Sequence, residues 1–245
     1  MRRQKLGEPI EEEDLSEIDW ADLPEVKIVV RQCDIRGGRL NDAVLPYALF
    51  ERCDFTGCRF ASADLSHAQF QQCNFFDANL RAGCDFSRAQ LLGAQFDYCN
   101  LSMSRFIGTD MYGATLNRCK APGVDFEDAV FVRKVGRQLI GRGALTECQL
   151  DMALFRDLEL QDCNFESSSL RQADFSRANL SGANLRRADL TEANLRGSVL
   201  DKTDLRDATL NGFDLPGLKS YAGLKVSESG LGAVVASLGM RVFPG

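Results

Sequence analysis

The sequence predicts an all-β fold, a quadrilateral β-helix with a short C-terminal helix, and three observations predict it. A large apolar residue recurs every fifth position, as in ADFSRANLSGANLRRADLTEANL, where Phe175, Leu180, Leu185, Leu190 and Leu195 mark the beat. That period fits neither the roughly 3.6 of a helix nor the roughly 2.0 of a strand. The position two residues before each centre is restricted in size: over 35 units it is Ala in 16 and Cys in 9, while the centre is Phe in 13 and Leu in 19. The other columns are polar, and Asp or Asn precedes the centre in 17 of the 35 units, where its side chain bonds nearby backbone at a corner. Four such sides close a square of about twenty residues, and squares stack at roughly 4.8 Å. Each coil buries its interior only against the next, so the chain forms one rod rather than separate globular domains.

Residues 1–30 lie outside the pattern and read as an acidic N-terminal tail, with Leu15, Ile18 and Trp20 as a weak apolar face that docks on the first coil. The β-helix is expected over residues 31–215. Its first set of centres runs from Ile35 to Leu80, and a spacing of six then leads to Phe86. The extra residue, within 81–85, is expected to bulge at Gly83, which tolerates unusual backbone angles. Residues 76–82 either keep the square or project as a short loop; Ala78 and Leu80 obey the columns, which slightly favours keeping it. The second set ends at Phe131, and the third runs from Leu145 to Leu215.

Between these sets the pattern fails. Keeping the beat would put Lys134 and Leu139 inside, so residues 132–144 are expected to project as a loop. They hold Arg133, Lys134, Arg137 and Arg142 with no acid. An insertion that a solenoid does not need is where function concentrates. Arg133, Lys134, Arg137, Gln138, Leu139, Ile140 and Arg142 are therefore the candidate partner-binding residues. After Leu215, residues 216–245 are expected to cap the rod. Ser227 precedes a helix expected from Glu228, and Leu231, Val234, Val235 and Leu238 fall on one face with Gly239 as the stop. With Met240 they form an apolar surface suited to a second copy of the chain.

Composition narrows the function. The net charge of −6 argues against direct nucleic-acid binding. No apolar run reaches the about 20 residues of a membrane span and no secretory signal precedes the repeats, so a cytoplasmic location is expected. All nine cysteines occupy the small column, where free Cys acts as a small hydrophobe, and CxxC pairs are absent; neither disulfides, metal nor cofactor are expected. The one histidine, His67, sits in a polar column away from any placed nucleophile. Carboxylates recurring on a convex surface imply no catalytic cleft, so no catalytic residue is assigned.

The repeat resembles the pentapeptide repeat family, with consensus A(D/N)LXX, over about residues 33–215. That resemblance implies a right-handed, four-sided β-helix. Within it, GCDFSRAQLLGAQFDYCNLSMSRF (Gly83–Phe106), CKAPGVDF (Cys119–Phe126) and the C-terminal SLGMRV resemble the Qnr quinolone-resistance proteins. The irregularity before Cys84 and the loop after Phe131 fall where that family has its loops. The resemblance implies a dimeric rod with DNA-like charge. It would bind DNA gyrase and topoisomerase IV and protect them from fluoroquinolones, partly by DNA mimicry. It also implies that two loops carry protection. By position the first is Phe76–Gly83, with Phe76, Asp77, Asn79, Arg81 and Gly83 as contacts, and the second, more important one is Val132–Gly143. Alternative readings are immunity to a natural gyrase poison and a general protein-interaction scaffold.

Overall fold

The structure is a computed structural model describing residues 9–20, 28–136 and 138–241. The chain winds into the expected four-sided β-helix. On the first face, seven short parallel strands stack in register: Ile10–Glu11, Val29–Arg31, Leu49–Glu51, Gln69–Gln71, Gln95–Asp97, Thr115–Asn117 and Ala144–Thr146. The other faces are ladders of single bridges: Asp34 to Asp54 to Asn74 on the second, Arg39 to Arg59 on the third, and Val44 to Asp64 on the fourth.

The two inward columns fill the rod. On the third face Phe60, Phe86, Phe106, Phe126, Phe155 and Phe175 are fully buried, and successive rings stack at 4.5, 4.7, 5.2, 5.1 and 4.7 Å. These spacings track the inter-strand repeat, so a ring in one coil is the floor for the ring above it. All nine cysteines are free and buried in the small column. Several thiols donate to the carbonyl of a centre in the preceding coil, as Cys58 does to Ile35 at 2.9 Å and Cys84 to Phe55 at 3.0 Å. Burial pushes the Cys58 and Cys163 thiols up to about 12.

Corners follow one rule. Except for Arg81, every non-glycine residue with positive φ sits two places after a centre, from Glu12 to Asp207. This left-handed conformation costs an L-residue roughly 1–2 kcal/mol. The same residue returns a bond by donating its N–H to the next coil, as Asp42 does to Ala61 at 3.0 Å and Tyr47 to Ser66 at 2.9 Å. The residue before the centre supports the turn as expected. Asp54 Oδ1 accepts the Thr56 N–H at 2.9 Å, Asp174 accepts Ser176 at 2.9 Å, and Asp189 accepts Thr191 at 2.9 Å.

Three expectations need correction. Ile10, Leu15 and Trp20 continue the fivefold beat backwards from Val30, so this part of the tail is coiled. Ile10–Glu11 pairs with Val30–Arg31, and Leu15 and Trp20 are buried. The signal is hidden because Glu13 and Ile18 occupy the small column. Leu80 is no centre; it is 76% exposed at the tip of a projecting hairpin. The rod also runs past Pro216. Val199 pairs with Ser220, Asp204–Leu205 pairs with Lys225–Val226, and Leu218 is buried.

At the C-terminus a 3-10 turn, Glu228–Gly230, precedes the α-helix Leu231–Ser237, shorter than expected. Ser227 makes no cap; its hydroxyl accepts the Asp207 N–H at 3.1 Å. The apolar residues divide between two directions. Val234 packs on the last coils, whereas Leu231, Leu238 and Met240 are each about half exposed. If the thiols lie inside as described, a disulfide-exchange reagent at pH 8 will leave native protein unlabelled for minutes and release nine equivalents in denaturant. Rapid native labelling of even two or three would contradict this packing.

Two candidate partner-binding hairpins

Two hairpins interrupt the rod, and both leave it at corners. The first departs after Phe75. Asn74 bridges to Asn100, 26 residues on, where Asp54 bridges to Asn74 at 20, so the excursion adds six residues. Phe76–Asp77 pairs antiparallel with Ala82–Gly83. Asp77 shapes the tip: its Oδ1 accepts the N–H groups of Asn79 at 2.8 Å and Leu80 at 3.0 Å. Phe76 is half-buried at the base, while Ala78, Asn79, Leu80 and Arg81 are exposed. Gly83 serves a different purpose from the one expected, since it does not have positive φ. A Cβ there would drive into the backbone of Ser102, Met103 and Ser104 in the next coil.

The second hairpin departs after Phe131. Lys120 bridges to Gln149, 29 residues on, so nine residues are added. Val132–Val135 pairs antiparallel with Gln138–Gly141, and the turn begins at Gly136 with φ of 62°. Arg137, a candidate contact, lies outside the described residues. Strand alternation divides the hairpin into two faces. Arg133 and Ile140 are paired on one face, and Lys134 and Leu139 on the other.

The Arg133 face turns back to the rod. Its guanidinium pairs with Asp110 and lies 4.8 Å from the centre of the Tyr112 ring, and Ile140 is half-buried. The Lys134 face is open: Lys134 is exposed and Leu139 is 49% exposed. Neither Lys134 nor Arg142 makes an ion pair among the described residues, so their charge is available to a partner. Gly141 closes the hairpin as Gly83 closes the first, because a Cβ there would land on the Gln161 carbonyl oxygen.

The first hairpin leaves between the second and third faces, the second between the fourth and first. They stand at opposite corners, two coils or roughly 10 Å apart along the axis. Leu80 was missed as an exposed hairpin residue because it obeys the columns; the spacing of six to Phe86 was the signal that it does not belong to them. Among the described residues no group of His, Cys, Asp and Glu is arranged to hold a metal ion. No helix among them is long and apolar enough to cross a membrane.

The family model described as pentapeptide repeats matches in eight copies over residues 46–81, 73–113, 159–197 and 178–217. The chain belongs to the pentapeptide repeat family. Among solved structures of this fold, a trypsin-treated variant of QnrB1, a plasmid-mediated fluoroquinolone resistance protein, matches with a TM-score of 0.77 at 26% identity. That match covers 87% of this chain and 99% of the other. Full-length QnrB1 matches with a TM-score of 0.71 at 27% identity, covering 84% and 97%. No curated protein sequence matches.

The glycine at the hairpin's return gives a direct test. Gly141→Ala is expected to lose about 1–3 kcal/mol in urea unfolding, the cost of forcing backbone apart. Gly136→Asn, at the tip, should stay within about 0.5 kcal/mol, since Asn tolerates the left-handed region. Equal stability of the two variants would mean that the strand does not return against Gln161.

Proposed function

We propose that this chain is a non-catalytic protein of the cytoplasm that binds DNA gyrase or topoisomerase IV and protects it from fluoroquinolones. The observation that carries the reading is the likeness to QnrB1 over most of both chains. The basic second hairpin supports it physically. On a chain of net charge −6 it is a compact basic projection, suited to an acidic patch on an enzyme surface. In this reading Lys134, Leu139 and Arg142 make the contact, Arg133 holds the hairpin in place, and Leu80 with Asn79 and Arg81 forms a weaker contact at the opposite corner.

DNA mimicry takes a lesser part. Many carboxylates that would imitate phosphates already serve their own corners, as Asp54, Asp174 and Asp189 do. A carboxylate accepting such bonds can still face a basic groove, but its position is dictated by the coil. A homodimer through the C-terminus fits the same reading, because Leu231, Leu238 and Met240 leave apolar surface exposed beyond the cap.

Gyrase supercoiling inhibited by ciprofloxacin tests the function. Wild type is expected to restore supercoiling in a concentration-dependent way, and Lys134→Glu with Arg142→Glu to raise the concentration needed at least about tenfold. Melting temperature should be unchanged, since both side chains are on the hairpin. An absence of rescue by wild type would remove the proposal. For the dimer, sedimentation equilibrium at micromolar concentration should give twice the chain mass, and Leu231→Asp should give one chain. A monomeric wild type would leave the helix only a capping role.

A further inference from the structure

The corner from which the second hairpin leaves carries a feature that the fold does not require. Its corner residues in successive coils are Tyr47, His67, Gly93 and Gly113, followed by the hairpin. The stacking is fixed by backbone bonds from Tyr47 N–H to Ser66, His67 N–H to Leu92 and Gly93 N–H to Tyr112, at 2.9, 2.8 and 3.0 Å. Tyr47 and His67 stack with ring centres 5.0 Å apart and an interplanar angle of 11°. Both adopt the left-handed conformation, with φ of 60° and 59°. For tyrosine that is a less favourable choice than the Gly or Asn that would serve at such a corner.

The backbone bond to the next coil offsets that cost at such corners, whatever the side chain; the two rings themselves add nothing to the core, because they lie outside. Tyr47 is 59% exposed and His67 is exposed beside it. The next two coils make room for them. A Cβ on Gly93 would sit 2.6 Å from His67 Nδ1, and Gly113 adds no side chain either, so the edge is flat up to the hairpin. At its far end Tyr112 holds Arg133 by its ring face. A stacked aromatic pair and a basic hairpin thus share one edge, three coils or roughly 14 Å apart.

We propose that this edge is one continuous protein-binding surface, with the Tyr47–His67 pair as an anchor outside the hairpins. Its partner presents carboxylates to Lys134 and Arg142 and a flat apolar or guanidinium group to the exposed rings. Tyrosine is among the residues in which interface hot spots are enriched, and Tyr47 is exposed here. A protein fits better than a nucleic acid, because a continuous run of phosphates along the edge would pass the Asp64 carboxylate, whereas a protein can confine its carboxylates to Lys134 and Arg142. The inference rests on the topoisomerase reading and adds to it a contact that neither hairpin contains.

The test measures binding of immobilised full-length protein to purified DNA gyrase holoenzyme, and separately to a fluorescent single-stranded oligonucleotide. Tyr47→Asn and His67→Asn replace each ring by a residue that adopts the left-handed region readily, so the rod is expected to keep its melting temperature. Tyr221→Asn, at an exposed tyrosine near the C-terminus, is the control. Each platform variant should weaken gyrase binding about tenfold, with the control unchanged. Wild-type affinity in both platform variants, with loss in Lys134→Glu, would overturn the platform and leave the topoisomerase reading standing. Failure of wild type to bind gyrase would overturn both. Oligonucleotide binding by wild type that disappears in the platform variants would overturn the protein partner in favour of nucleic acid.

Discussion

The narrow square cross-section constrains everything else in the molecule. Each side can place one large and one small residue inside, and each coil must lie flat on the next for those residues to be covered. The flatness is visible in the near-parallel phenylalanine rings of the third face, where Phe86 and Phe106 are tilted by only 3°. It also explains why Ala and Cys share a column. A thiol fits where a methyl fits, and it gains a bond to a carbonyl of the coil before, as Cys58 does to Ile35. The corners bear the cost as left-handed backbone, and recover it through a bond to the neighbouring coil and an Asx side chain beneath.

A rod built this way accepts insertions at few places. Along a side, an extra residue would rotate every later side chain out of its column. At a corner the chain can leave and return, provided that the return passes close over the next coil. Both hairpins meet that condition with a glycine, Gly83 and Gly141, each with no space where a Cβ would stand. After each hairpin the columns resume at once, with Phe86 and Leu145 buried. Coil and projection are therefore nearly independent, and the hairpins can vary in sequence while the scaffold keeps its geometry.

Periodicity made the coils legible from composition alone, because two apolar columns at a fixed spacing leave little choice of shape. It failed where a residue satisfied the period without being on a side. Ala78 and Leu80 have the right size at the right interval, yet they lie on a hairpin, and only the shift of one residue before Phe86 betrayed it. The opposite failure hid the first coil: Ile10, Leu15 and Trp20 keep time, but Glu13 and Ile18 break the size rule. The second hairpin was legible because its basic residues could not enter the core. Its division into two faces was not, since that depends on Arg133 reaching Asp110 and Tyr112, 23 and 21 positions earlier in the chain.

That division sets how the molecule's charge can be used. Counting residues gives a hairpin with four positive charges, but Arg133 is already matched by Asp110. An exposed pair of this kind adds about 0.2–1 kcal/mol to stability, so its consequence is geometric: it fixes one face of the hairpin against the rod and turns Lys134 and Leu139 outward. The acids are similarly committed, because many of them hold corners. What remains for recognition is therefore local rather than spread along the rod. Lys134 and Arg142, unpaired among the described residues, an exposed leucine at each hairpin, and the aromatic edge beside the second hairpin are the groups that the scaffold itself leaves unused.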